Sequence, residues 1–506
     1  MSGKPAPAAV PASSFLGKAG PLVLARLFTA GVTFSIPFVL ARILSPEEYG
    51  TYFQLFLIAT TLYYVLPFGV VQSLYYFVPR AEEKRPWLGQ ALLYISGAGL
   101  VAAGLVWVLL EPVAHHFNNP ALLDYRAPLA AYTAFLLGSY PLEISLTSQG
   151  RTKHSAIVYL VSDVARTASL VVPCLMGFGL QGMMLAMVGF AFLRYVATWV
   201  VVPWGTTGPL ARAELWRQQF IYAAPFGLAM ALSVPQQYAH LYMVGVVGPA
   251  LYAVYRVGCN QLPVVDLLYT PTSEVLMVRL GELDKQGRLE EGVVAFREAA
   301  GKLAFVFLPF AAFLFAAAPE FISAFYTAEY LGAVPIFRVS VLGVVLAILP
   351  MDGVLRARGH TRAILYSNLL KAAVTVPLVW VGVKRFGMMG GIVSWAVAEV
   401  VGKSALLVRV PAALSTSERA LRIRDVIPWR ELGKASLAAL AATVGVFLLR
   451  AVTVQTWSGL PEGFVWRALP LAVAGVLFAT GYVGVLYATG VRPLSLLASL
   501  RSRGAK

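Results

Sequence analysis

Along most of the chain, stretches of about twenty apolar residues alternate with short polar turns that carry much of its charge. Roughly twenty residues is the length a helix needs to cross the hydrocarbon layer. The short alternating segments of an outer-membrane barrel, about ten residues each, are not the pattern here. Fourteen helices are predicted, at about 20–43, 51–77, 88–111, 127–149, 152–176, 180–203, 218–245, 250–278, 300–319, 334–356, 361–384, 388–411, 433–454 and 468–490. Gly and Pro inside many of them do not count against a span, because in a bilayer neighbouring helices satisfy the freed backbone groups. The expected fold is all-α and polytopic, without a sizeable soluble domain.

Composition agrees. Hydrophobic residues make up 58% of the chain and charged residues 13%, against about 25% charged in a soluble domain. The two cysteines, Cys174 and Cys259, lie in apolar runs and make neither a disulfide framework nor a metal cluster. His115 and His116 read as loop residues, with no further histidine near in sequence. The net charge of +16 is spread over short loops instead of one block, which argues against nucleic acid and for a topology signal. With the N-terminus inside, about 27 of the 40 Lys and Arg face the cytoplasm, about 6 face the other side and 7 lie within spans. Both termini are therefore expected in the cytoplasm. The opening "MSGKPAPAAVPASSFLGKAG" carries no compact cleavable signal, so the first helix is expected to be a permanent anchor.

The chain repeats itself. "PLEISLTSQGRTK" from Pro141 is echoed by "PMDGVLRARGHTR" from Pro350, and "PEEYGTY" from Pro46 by "PALYAVY" from Pro249. The first pair falls at the turns from helix 4 to 5 and from helix 10 to 11. The second falls between the first two helices of each six-helix unit. Two pseudo-symmetric six-helix lobes follow, at 15–203 and 218–411, joined by a cytoplasmic linker at 204–217. A second linker at 412–432 leads to two extra helices at 433–490 and a tail at 491–506. An even number of spans per lobe gives both the same orientation, so the symmetry axis runs along the membrane normal.

"LARILSPEEYGTY" (Leu40 to Tyr52), "SLYYFVPR" (Ser73 to Arg80) and "GRTKHSAI" (Gly150 to Ile157) resemble Wzx-type polysaccharide flippases of the multidrug/oligosaccharidyl-lipid/polysaccharide (MOP) exporter superfamily, a MATE-like fold. The resemblance runs through helix 12, and the two extra helices fit fourteen-helix members. It implies translocation of an undecaprenyl-diphosphate-linked oligosaccharide across the bacterial inner membrane, for surface polysaccharide made by a polysaccharide polymerase. Membrane lipids and H⁺ or Na⁺ are the other implied partners. Lipid II flippases and cation-coupled drug exporters are relatives, and both remain alternatives. The arginine-rich first helix expected of the lipid II branch is not matched, since within that span Arg26 is the only arginine apart from Arg42 at its outer end.

Such a substrate has parts with conflicting solvation. Bared sugar hydroxyls cost several kcal/mol each in hydrocarbon and phosphate charges far more, while the tail prefers the bilayer. A carrier needs a wet cavity, bases for the diphosphate and a lateral gap. Ionisable residues inside spans are therefore the candidates. Asp163 with Arg166, and Glu399 with Lys403, have the spacing of helix-face pairs. Glu143 and Asp352, the repeated acids, stand near Arg151 and Arg362. Arg26, Arg194, Arg256 and Lys371 have no obvious local acid. Arg26 and Arg256 are favoured for the diphosphate because, by the resemblance, the first helix pairs of the lobes line the central cavity; Arg194 and Lys371 follow. Guanidinium grips phosphate oxygens bidentately. Gln236, Gln237, His240, Asn260 and Gln261, with Gln72 as a weaker counterpart, offer the amides and rings of a sugar site. Asp163, Asp266, Glu274, Glu143 and Asp352 are candidates for ion coupling or gating. No P-loop, dinucleotide glycine fingerprint or HExxH motif of useful quality occurs, and neither an enzyme nor a cofactor is expected.

Overall fold

The computed structural model describes residues 31–260, 264–416, 419–458 and 464–491, which contain helices and no strand. The first six expected spans are α1 (Gly31–Ile43), α2 (Pro46–Val65) with α3 (Leu74–Phe77), α4 (Arg85–His116), α5 (Arg126–Gly138) with α6 (Pro141–Ser148), α7 (Thr152–Leu175) and α8 (Gly179–Val201). The next six are α9 (Ala213–Val244), α10 (Pro249–Gly258) with α11 (Val264–Lys285), α12 (Glu291–Ala316) with α13 (Ala318–Phe325), α14 (Val334–Leu342) with α15 (Met351–Ala357), and α16 (Thr361–Leu407), which holds two spans and is followed by α17 (Val410–Leu414). After the short α18 (Ile423–Val426) come α19 (Trp429–Ser458) and α20 (Phe464–Ala488).

Among the described residues, eight helical stretches are long and apolar enough to cross a membrane. The other expected spans are broken or carry polar residues. Lipid cannot solvate a bared backbone, so breaks belong where protein or a wet cavity covers them. Large apolar side chains face outward, Leu100, Val108, Leu193 and Val452 among them, as on a surface that meets lipid. The two arms of α16 turn back on each other at Gly387, whose φ of 57° and ψ of −139° suit glycine alone. Gly382 and Gly390 meet across that turn: a Cβ on Gly390 would lie 1.9 Å from the Gly382 carbonyl oxygen.

The echoes in sequence fold alike. Pro141 opens α6 and Pro350 caps α15; each short helix runs into a glycine of positive φ, Gly150 at 79° and Gly359 at 69°. Pro46 and Pro249 are the first residues of α2 and α10. At α2 a capping box sets the start: Ser45 Oγ accepts from Glu48 N at 3.2 Å, and Glu48 Oε2 accepts from Ser45 N at 3.1 Å.

α2 is the element on which the middle of the molecule is built, packing on α5, α9 and α10. Small residues permit the closest approaches. A Cβ on Gly50 would sit 1.8 Å from the Pro249 carbonyl oxygen, so α2 and α10 touch backbone to backbone at the end bearing the 44–45 and 245–248 turns. This first end is sealed further by Phe38 against Phe321, Phe325 and Tyr326, and by Arg42, which donates to the carbonyls of Ala324 and Phe325. Towards the opposite end α2 breaks at Phe68 and Gly69, with φ of 43° and 76°. There a Cβ on Gly227 of α9 would lie 2.4 Å from the Phe68 carbonyl oxygen. Gln219 donates to Ser73 Oγ at 3.0 Å in a buried contact, and Tyr76 stacks on Tyr222. α2 thus touches the second half of the chain near both ends, and the polar cavities described below lie along it between these contacts. α19 and α20 pack on each other and on α12 and α13.

Candidate functional site

Two polar cavities adjoin each other, the first lined in part by α2. The first, of about 610 Å³, lies among α2, α5, α6, α7 and α8. α2 contributes Phe56, Thr60, Tyr63 and Tyr64, a stripe at the three- and four-residue spacing of one helix face. Tyr132, Tyr140 and Tyr159 complete a wall of five tyrosines. Two acid–base pairs line the same space. Arg194 Nη2 is 2.6 Å from Glu143 Oε2, and its Nε donates to Ser139 Oγ at 3.2 Å. Arg166 pairs with Asp163, and Thr33 of α1 bridges both at 3.3 Å. With two acids and two bases, the cavity has no net formal charge.

The second cavity, about 250 Å³, is lined from α9 by Gln237, Tyr238 and His240, from α10 by Arg256, beyond it by Cys259 and Asn260, and by Ser340 and Trp395 opposite. Arg256 pairs with no carboxylate among the described residues. Its guanidinium instead lies 4.7 Å from the centroid of the Phe53 ring on α2, a cation–π contact that holds it without neutralising it. Phe53 and Arg256 are separated by 203 positions, the same offset as Pro46 and Pro249. Asn260 donates to Tyr326 OH at 3.0 Å, and His240 Nδ1 is 2.7 Å from Tyr255 OH. Tyr64 of the first cavity and Tyr238 of the second stack with centroids 6.3 Å apart, so the cavities share a wall.

Four of the expected residues, Gln237, His240, Arg256 and Asn260, thus meet in one space. Others do not stand where the spacing put them. Arg194 and Lys371 are not free bases: Arg194 is bound to Glu143, and Lys371 reaches Glu399 from the other arm of α16. Glu399 therefore does not pair with Lys403, whose Nζ lies 5.3 Å from the Tyr269 ring centroid. Glu143 holds Arg194 and not Arg151, which donates to the Trp204 carbonyl at 3.2 Å. Asp352 holds Arg356 at 3.2 Å and not Arg362; it also accepts from Tyr269 OH and, at 3.3 Å, from Ser273 Oγ. Gln236 is buried outside the cavity, donating to the Leu232 carbonyl at 3.1 Å. Gln72, in the α2 break, donates to Tyr140 OH at 2.5 Å and so holds a tyrosine of the first cavity. Glu274 is exposed on α11 and lines neither cavity. Arg26, Gln261 and the side chain of Asp266 lie outside the described residues.

The tyrosine wall escaped sequence reasoning, although the stripe at 56, 60, 63 and 64 was visible in it. Phe53 carried no signal, because a platform for Arg256 is defined only once α2 and α10 cross.

Over residues 39–335 the chain matches the model of a family described as polysaccharide biosynthesis protein. Among solved structures it is similar to the lipid II flippase MurJ in an inward closed conformation, with a TM-score of 0.69 at 13% identity over 92% of this chain and 99% of that one. It is similar also to a multidrug resistance MATE family transporter of the MOP superfamily in an inward-facing conformation, with a TM-score of 0.58 at 15% identity over 77% of this chain and 96% of that one. No curated protein sequence matches. At such identities the likeness establishes architecture: this is a multi-pass membrane protein with the fold of the MOP transporters, as the sequence led one to expect.

Proposed function

Since the chain belongs to the polysaccharide biosynthesis protein family, whose model it matches over more than half its length, we propose that it is a flippase. It moves undecaprenyl-diphosphate-linked oligosaccharide from the cytoplasmic to the periplasmic leaflet of a bacterial inner membrane, with both termini in the cytoplasm. Two six-helix lobes, 15–203 and 218–411, rock about the α2–α10 crossing, and Arg256 receives the diphosphate there. The observation that carries this reading is Arg256 itself, a guanidinium in a polar cavity at that crossing with no carboxylate among the described residues to neutralise it. A half-buried charge without a counter-ion carries a desolvation cost, and an anionic ligand offsets it on arrival.

Two protein conformations suffice for the work, and no bond is broken. A headgroup carrying two negative charges and leaving a negative-inside cell gains about 2.3 kcal/mol per charge per 100 mV. H⁺ or Na⁺ coupling would fall to Asp163, Glu143 or Asp352, each of which holds a basic partner. The same pairing disfavours export of cationic drugs, which needs acids free to receive them. A lipid II substrate presents the same diphosphate chemistry, and the likeness to MurJ makes it the second reading.

Arg256→Ala is expected to abolish surface polysaccharide export while leaving the amount of protein in the membrane fraction unchanged. Arg26→Ala is expected to do the same. Arg256→Lys keeps the charge but loses the bidentate fork, and should retain part of the export. Full export by Arg256→Ala would remove this residue from the site.

A further inference from the structure

We propose that the tyrosine-walled cavity among α2, α5, α6, α7 and α8 is the glycan subsite, receiving the carbohydrate of the substrate while its diphosphate lies at Arg256 in the adjoining cavity. This rests on the flippase reading and assigns the sugar to a space other than the α9 and α10 amides, whose cavity of about 250 Å³ already has the diphosphate to hold.

The cavity's charges decide what it takes. Its two carboxylates already hold bases, so a small cation finds no free acid. Its two guanidiniums already hold acids, so a diphosphate finds no free base. What remains is hydrogen-bonding capacity without net charge, which suits a neutral ligand rich in hydroxyls. Glu143 Oε1 has no hydrogen-bond partner among the described residues, so this carboxylate keeps unused acceptor capacity. Phenol rings supply the rest, with flat faces for the C–H surfaces of sugar rings and hydroxyls that both donate and accept. Tyr63 and Tyr140 meet edge to face at 4.8 Å, and Gln72 fixes Tyr140 from behind. The volume of about 610 Å³ lies within the range of built ligand pockets, roughly 300–1,000 Å³.

Position decides the rest. Phe53, which carries Arg256, and Phe56, which lines the tyrosine cavity, are three residues apart on α2, about 4.5 Å along the axis. A sugar bonded directly to its phosphate bridges such a step. Tyr64 and Tyr238, stacked across the shared wall, are the side chains the linkage has to pass.

The test uses the full chain in lipid nanodiscs and three probes. They are the lipid-linked oligosaccharide extracted from cells deleted for this gene, the glycan freed from it by mild acid, and undecaprenyl diphosphate. Tyr64→Ala changes a partly exposed residue and is expected to fold; Glu143→Gln is the second variant. Both are expected to weaken the intact lipid-linked oligosaccharide about tenfold and to lose the free glycan, with undecaprenyl diphosphate affinity unchanged. Arg256→Gln should weaken undecaprenyl diphosphate and the intact substrate while leaving the free glycan bound. If both cavity variants bind the glycan-bearing probes as the wild type does, or lose undecaprenyl diphosphate equally, the glycan assignment is overturned. If instead Arg256→Gln binds undecaprenyl diphosphate normally, the diphosphate reading fails and the glycan assignment stands on the other two probes. Wild-type protein that binds none of the three overturns both.

Discussion

Gly50→Ala tests whether the α2–α10 crossing is the pivot of the transport cycle. The added methyl would lie 1.8 Å from the Pro249 carbonyl oxygen, where ordinary contact begins at 3.4 Å. The two backbones must part by about 1.6 Å, the difference of those distances, because neither partner is a flexible side-chain tip. Overpacking of this kind costs about 1–3 kcal/mol. The cost falls on the state closed at the first end, so the balance shifts towards a state open there by about 5- to 150-fold. Gly227→Ala is the mirror perturbation: its methyl would meet the Phe68 carbonyl oxygen at 2.4 Å and should open the opposite end. Pulsed electron–electron distance measurements read both, in a background of Cys174→Ala and Cys259→Ala. Spin labels at the exposed positions Asp124→Cys and Glu329→Cys span the first end, and Glu82→Cys with Gln286→Cys span the other. Gly50→Ala is expected to lengthen the first distance and Gly227→Ala the second. Unchanged distances in folded Gly50→Ala protein, or lengthening of the same pair by both variants, would refute the reasoning.

Lys371→Met should strip Glu399 of its base and cost about 3–5 kcal/mol, seen as a lower unfolding temperature, whereas Lys371→Met/Glu399→Met should recover most of it. Wild-type export by that double variant would assign the pair to structure alone, and loss of export at normal stability would return Lys371 to the substrate path. Cys259 lines the Arg256 cavity and Cys174 lines neither cavity. Undecaprenyl diphosphate is therefore expected to slow N-ethylmaleimide labelling of Cys259 and to leave Cys174 unaffected; equal protection of both thiols, read by mass spectrometry, would contradict the site.

Local order was legible in the sequence because it rests on periodicity and on residues that act within a few positions. Each expected span is largely helix over its described residues, with non-helical breaks inside 51–77, 127–149, 250–278 and 334–356, and the paired echoes mark helix starts and glycine turns at equivalent places. Asp163 and Arg166, three apart on α7, do pair. The misses share one cause. Spacing says which partner a side chain can reach on its own helix, but not what competes from another. Glu143 took Arg194 from 51 positions away, and Glu399 took Lys371 from 28 positions away, leaving Lys403 to the ring of Tyr269. Both long pairs are better shielded from lipid than a helix-face pair would be, and shielding is what makes an ion pair in a membrane affordable. The tyrosine wall was hidden for a similar reason: aromatic residues at helical spacing look like core until a cavity is found beside them.

A repeat with two like halves has to be made unlike to carry a ligand with a direction. The substrate proposed here is neutral and wet at one end, anionic in the middle and oily at the other. Equal halves would offer it two equal sites. The chain breaks its symmetry at corresponding positions. Where the first half has Phe53 the second has Arg256, and the two touch, so this pair of positions carries one cation where a strict repeat would place two and repel them. Glu143 and Arg194 recur 209 positions later as Asp352 and Lys403. In the first half this acid and base close on each other and leave a neutral cavity. In the second, Tyr269 stands between them, donating to Asp352 and lying under Lys403. A tyrosine-walled neutral space is therefore lined by the first half and a cationic one by the second, and that difference gives a near-symmetric scaffold the polarity a lipid-linked sugar requires.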